Sequence, residues 1–213
     1  MPSPIPDYSR TDKRAVAVFG WSRTEADTPR WHEAEAVGRL AAQQGFTVLT
    51  GGYGGSMEAT SKGAREARDA AAAGSPAASV EVVGIVVSEL FPDRFTEGNK
   101  YLTQVLDSTS MLHRIEQLTT KSRYFVVLPG TIGTLQELVT IWVQKSIHPG
   151  GRPAPVILAF RDPWERCCQG IIDSLQLSPQ QACAIRFVDT PEEAVRWMAE
   201  DAAGAVDGAA ASL

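Results

Sequence analysis

A carboxylate one turn inside a helix that opens on a glycine turn combines an acid with a set of unpartnered backbone amides. Glu137 stands in that position, in the run LPGTIGTLQEL at Leu128–Leu138. Tyr124–Leu128 reads as a strand, Pro129 stiffens its exit, and Gly130 and Gly133 open the backbone. Thr131 and Thr134 offer hydroxyls where the next helix begins. The first amides of a helix lack intrahelical partners and carry the positive end of its dipole, so such a turn suits a phosphate. Taken alone, Glu137 is well explained as a helix-favouring charge near a positive dipole end. The neighbouring phosphate turn makes it a candidate reacting group.

A second turn of the same kind occurs earlier. TGGYGGSMEAT at Thr50–Thr60 follows the strand-like Phe46–Leu49 and runs into a helix-like stretch. One glycine would serve a tight strand-to-helix turn. Gly51, Gly52, Gly54 and Gly55 together favour close approach of a ligand to the main chain. The turn lacks the Gly-Lys-Ser/Thr ending of a Walker A loop and the GxGxxG spacing of the dinucleotide fingerprint. Two such turns predict a protein that holds a phosphorylated small molecule, a nucleotide above all.

These turns need a frame. Strand-like and helix-like segments alternate along the chain, starting at Ala15–Gly20. Trp31–Gln44 carries Ala34, Val37, Leu40 and Ala41 at helical spacing, with Gly45 placed as its C-cap. Met57–Ala73 reads as the second helix, and Gly74–Ser79 as a loop. Val80–Val87, almost wholly apolar, fits a strand buried between two helix layers. Glu89–Lys100 reads as a polar surface loop near a ligand, with Arg94 able to approach it. Asp107–Lys121 is predicted as a helix capped by Asp107 or Ser108. Thr134–Lys145, Pro163–Leu175 and Pro191–Asp201 are the remaining helices, and Pro155–Phe160 and Ile185–Val188 the remaining strands. The pattern predicts an α/β fold: a Rossmann-like, doubly wound parallel sheet with helices on both faces. It is read as one domain over residues 14–201, with flexible tails at 1–13 and 202–213.

Composition narrows the partners. The 213 residues suffice for one α/β domain, and the net charge of −5 argues against nucleic-acid polymers or anionic membranes as partners. The three cysteines, Cys167, Cys168 and Cys183, form neither a disulfide framework nor a paired zinc pattern. Reduced thiols, no apolar run of membrane-spanning length and no signal core predict a cytoplasmic protein.

Several ordered motifs resemble one family. PGTIGTLQE is similar to the PGGxGTxxE motif of the LOG family, the cytokinin-activating nucleoside-monophosphate phosphoribohydrolases. GGYGGSME resembles that family's GGGxxGLMG segment, and Val16–Ser22 its opening strand, which typically ends in Gly-Ser-Ser. MLHRIEQL at Met111–Leu118 resembles the segment that holds the family's catalytic arginine, and the separation of Arg114 from Glu137 fits. The likeness spans roughly Ala15–Phe160. The chain departs from the pattern at Thr131 for the second glycine of PGG, Ile115 for the usual lysine, Glu58 for the last glycine of GLMG, and Gly20-Trp21-Ser22 in the first turn.

The resemblance implies hydrolysis of the N-glycosidic bond of a nucleoside 5′-monophosphate, giving free base and ribose 5-phosphate. Arg114 and Glu137 would be catalytic. Gly51, Gly52, Gly54, Gly55, Gly130, Thr131, Gly133 and Thr134 would bind phosphate and nucleotide. No metal or other cofactor is expected, and a homodimer is. Two alternatives stay open: a noncatalytic carrier or sensor, resembling molybdenum-cofactor carriers, and transfer of the sugar to another base.

Overall fold

The computed structural model describes residues 14–88, 97–148 and 154–204. Seven parallel strands form one sheet in the order β4-β3-β2-β1-β5-β6-β7. They are β1 (Ala15–Phe19), β2 (Thr47–Thr50), β3 (Val82–Val86), β4 (Gln104–Asp107), β5 (Tyr124–Val127), β6 (Val156–Phe160) and β7 (Arg186–Val188). The helices are α1 (Pro29–Gln43), α2 (Ser56–Asp69), α3 (Met111–Thr120), α4 (Ile132–Ser146), α5 (Arg161–Leu175), the short α6 (Pro179–Ala182) and α7 (Pro191–Ala202). No helix among the described residues is long and apolar enough to cross a membrane.

Side chains alternate across each strand, and this divides the core. Val16, Val18, Val48, Val82 and Val126 join α1, α2 and α7 on one face through Ala34, Val37, Ala41, Ala59, Val195 and Met198. Ala17, Phe19, Leu49, Ile85, Phe125 and Val127 join α3, α4 and α5 on the other through Leu118, Leu138, Ile141, Trp142 and Trp164. The central strands are buried on both faces, as their continuous apolar runs require.

The strand order reverses between β1 and β5, which pair directly. At such a switch point the loops leaving the carboxyl ends of the strands diverge and open a crevice, where ligands bind in these sheets. The turns after β1, β2 and β5 all leave from that edge.

Several sequence expectations are corrected. The helix predicted over Asp107–Lys121 begins only at Met111. Asp107 ends the unforeseen strand β4, whose single buried residue, Leu106, leaves almost no apolar alternation to read. Asp107 therefore does not cap a helix. Its carboxylate accepts from the Ser88 amide (3.0 Å) and hydroxyl, and these bonds hold its pKa below the ordinary value. Nor does Ser108 cap α3; Ser110 does, its hydroxyl accepting from the His113 amide at 3.1 Å. The first helix has Gln44 as its C-cap, with Gly45 just beyond at φ 77°. The loop at 74–79 contains a 3-10 turn, and α6 was not anticipated. Ala202 belongs to α7 rather than to a tail. Residues 1–13 and 205–213 of the predicted tails, and most of the polar loop with Arg94, lie outside the described residues.

Candidate active site

A cavity of about 390 Å³ opens at the switch point, a size that suits a small-molecule ligand. Its wall is built from four segments. The β1 turn contributes Gly20, Ser22 and Arg23; the β2 turn and α2 contribute Tyr53, Gly54 and Met57. Met111 and Arg114 come from α3, and Thr131, Gly133, Thr134 and Glu137 from the β5 turn and α4.

The β5 turn is held from both sides. The Leu128 amide donates to the Phe19 carbonyl at 2.9 Å, and Trp164 Nε1 donates to the Leu128 carbonyl at 2.9 Å. Thr131 is the N-cap of α4, yet its side chain makes no capping bond. The first amides of this fifteen-residue helix are thus not capped by that hydroxyl, beside a cavity wall. Thr134 and Glu137, three apart on α4, share its buried face.

Glu137 is 9% exposed. Burial lifts its pKa from the ordinary 4.5 to about 7, against the opposing pull of Arg114. Arg114 Nη1 stands 3.7 Å from Glu137 Oε1, an ion pair too long to be a hydrogen bond. The arginine is positioned by other groups. Its Nε donates to the Ile85 carbonyl at 2.8 Å, and its guanidinium carbon lies 5.5 Å from the centre of the Tyr53 ring. The Tyr53 hydroxyl accepts from the Val87 amide at 2.8 Å, which ties that ring to the end of β3.

The predicted binding residues divide into two groups. Gly54, Thr131, Gly133 and Thr134 line the cavity together with Arg114 and Glu137. Gly51, Gly52, Gly55 and Gly130 are not part of its wall. A β-carbon on Gly51 would fall 1.8 Å from Arg114 Nη2, so this glycine makes room for the arginine. One on Gly52 would meet Val86, one on Gly55 the Trp21 carbonyl, and one on Gly130 the Thr134 hydroxyl.

Other residues were not singled out from the sequence. Ser22, Arg23, Met57, Tyr53 and Met111 line the cavity, all but Arg23 inside motifs already quoted for their glycines or their arginine. Buried Asn99, within the polar loop, clamps the β2 turn: its amide donates to the Gly52 carbonyl at 2.8 Å and its Nδ2 to the Tyr53 carbonyl at 3.2 Å. No periodicity marks such a clamp. Ile115 is buried, and neither it nor Trp21 is part of the cavity wall; the Trp21 carbonyl accepts from the Ser56 amide at the start of α2. His113 is tied to Thr109 and Gln117.

Known proteins resemble the chain at three levels. A phosphoribohydrolase acting on cytokinin riboside 5′-monophosphate, from Mycobacterium tuberculosis (strain ATCC 25618 / H37Rv), is 25% identical over 169 residues, covering 76% of this chain and 82% of that protein. The X-ray structure of TM1055 superposes with a TM-score of 0.65 at 26% identity, over 87% of this chain and 98% of that one. The molybdenum cofactor binding protein of Rippkaea orientalis shares the fold, with a TM-score of 0.63 at 19% identity over 87% and 94% of the two chains. The profile of the family described as possible lysine decarboxylase matches residues 57–198. The chain belongs to this family, the LOG family.

Proposed function

We propose that the chain hydrolyses the N-glycosidic bond of a nucleoside 5′-monophosphate to free base and ribose 5-phosphate. One observation carries the reading: the Arg114–Glu137 pair faces the same cavity as the open start of α4. A 5′-phosphate seated on the amides near Thr131, Gly133 and Thr134 would hold the ribose over Glu137. Cleavage builds positive charge on that ring, and an ionised Glu137 in a water-poor site stabilises it. Arg114 holds the carboxylate in place and is available to the departing base. The relative from M. tuberculosis, named for this reaction on one modified nucleotide, supports the class of chemistry. Among the described residues no lysine lines the cavity, so the family's decarboxylase description finds no amine there for a Schiff base.

The rival is a noncatalytic carrier or sensor of a nucleotide or phosphorylated cofactor. On its side stands the Glu137 pKa of about 7: a carboxyl that keeps its proton donates a hydrogen bond to an anion instead of stabilising a cation. Incubation with AMP, CMP, GMP, UMP and modified analogues, followed by chromatography, separates the two. Released base with ribose 5-phosphate supports hydrolysis. Saturable binding without release supports the carrier, and exchange in a two-base mixture supports sugar transfer.

The homodimer belongs to the same proposal. Ile132, Val139 and Val143 on α4 and Ile147 at its C-cap are exposed apolar residues, as is Leu112 on α3. α3 and α4 are therefore the candidate interface helices. Sedimentation giving only monomer at micromolar concentration would remove the dimer from the reading.

A further inference from the structure

Arg23 sits in the β1 turn, between the two glycine turns in strand order. Among the described residues it and Arg114 are the cations of the cavity wall. Their situations differ. Arg114 is buried and committed to the Ile85 carbonyl and Glu137. Arg23 is exposed, and no hydrogen bond or ion pair joins its guanidinium to another described residue.

Most exposed arginines are simply solvated. Arg23 differs in where it points and in how its backbone is held. The Trp21 carbonyl accepts from the Ser56 amide at 2.9 Å and from the Thr24 amide at 3.4 Å. The buried Thr24 hydroxyl shares a 2.7 Å hydrogen bond with the Ser56 hydroxyl. The turn that carries Arg23 is thereby fastened to the first residue of α2 on both sides of Arg23. Its guanidinium makes no hydrogen bond or ion pair with another described residue while its root is fixed, and it lines the cavity together with Thr131 and Gly133.

Helix amides supply roughly half a positive charge, whereas a phosphate monoester carries about −1.5 to −2 at neutral pH. Arg114 already stands beside the Glu137 carboxylate with its Nε on the Ile85 carbonyl, so less of its charge is left for the phosphate. We propose that Arg23 is a substrate-binding residue that engages the 5′-phosphate of the nucleotide. A guanidinium suits this role because it can donate two parallel hydrogen bonds to one phosphate. The inference rests on the phosphoribohydrolase reading for its ligand, but only the phosphate and its sugar are needed to test it.

Wild type, Arg23→Ala and Arg23→Lys are titrated calorimetrically with ribose 5-phosphate and with adenosine, at low and high salt. Arg23→Ala should weaken ribose 5-phosphate binding about tenfold, as expected for a charge-assisted bond at a partly wet site, and Arg23→Lys should recover part of the loss. Adenosine affinity should not change, and the salt dependence of ribose 5-phosphate binding should flatten in Arg23→Ala. With a cleaved nucleotide, the loss should fall more on KM than on kcat. Equal affinity of wild type and Arg23→Ala for ribose 5-phosphate overturns the inference, as does an equal loss for adenosine. A wild type that does not bind ribose 5-phosphate overturns this inference and the hydrolase reading together. A wild type that binds it but releases no base from any nucleotide removes the hydrolase reading alone, while the Arg23 comparison still decides the phosphate contact.

Discussion

After β2, β-carbons added to Gly51, Gly52 and Gly55 would lie 1.8, 2.8 and 2.3 Å from Arg114, Val86 and the Trp21 carbonyl. After β5, one added to Gly133 would have nothing within 4 Å. Three glycines of the first turn lie against the protein's own atoms, making room for Arg114 and letting the β1 turn lie against α2, while Gly54 lines the cavity. In the second turn Gly130 lies against Thr134, and Gly133 stays open in the cavity wall. Similar glycine-rich sequences thus differ in their surroundings: the first packs mostly against protein, with Arg114 beside it, and the second leaves Gly133 open at a helix start in the cavity wall.

That contrast can be broken most severely at the residue both turns serve. Glu137→Gln keeps the size and removes the charge. Under the proposed mechanism turnover falls roughly a hundred- to a thousandfold, and base release by wild type rises with pH through about 7 as the carboxyl ionises. Stability should move the other way. The folded chain holds the Glu137 proton more tightly than the unfolded one, so the native state loses stability as pH rises from the ordinary 4.5 through about 7. The gap between Glu137→Gln and wild type in urea melts should therefore widen in favour of the variant by on the order of 3 kcal/mol over that range. A gap independent of pH would show that Glu137 does not titrate there.

Gly51→Ala tests the packing role of the first turn through its effect on function. The new methyl collides with the tip of Arg114 and with Met57 Sδ at 2.6 Å, both side-chain rather than backbone atoms. Turnover should drop by roughly a hundredfold through misplacement of the arginine, with only a modest fall in Tm. Wild-type turnover would mean that the position of Arg114 is not critical.

Gly55→Ala should act on stability instead. Gly55 has φ 66° and ψ −136°, and its β-carbon would strike backbone. A loss of about 2–4 kcal/mol in denaturant unfolding is expected from strain and clash together. The smallest effect belongs to the second turn. Gly133 is inside α4 with open space around it, so Gly133→Ala should stabilise by about 0.5–1 kcal/mol while weakening nucleotide binding. A destabilised Gly133→Ala would erase the distinction between the two turns.

Legibility followed the strength of local patterns. The central strands were readable because Val82–Val86 and Tyr124–Val127 are buried on both faces and so apolar throughout. Edge strand β4 was not, because only Leu106 of its four residues is buried. Glu137, Thr131, Gly133 and Thr134 could be grouped from sequence because they lie within two turns of one helix start. Arg23 and Asn99 could not, because each lies beside segments far along the chain only in the folded protein, and neither a single arginine nor a single asparagine carries a periodic signal.

The amino-acid order by itself determined the alternation of strands and helices, the two glycine turns and the carboxylate beside one of them, since these depend on neighbours a few residues away. Tertiary structure alone decided which glycines face protein and which face the cavity, how far Arg114 stands from Glu137, and that burial lifts the acid's pKa to about 7. Each of these depends on what a third segment brings to the same place, and on how much water that segment displaces.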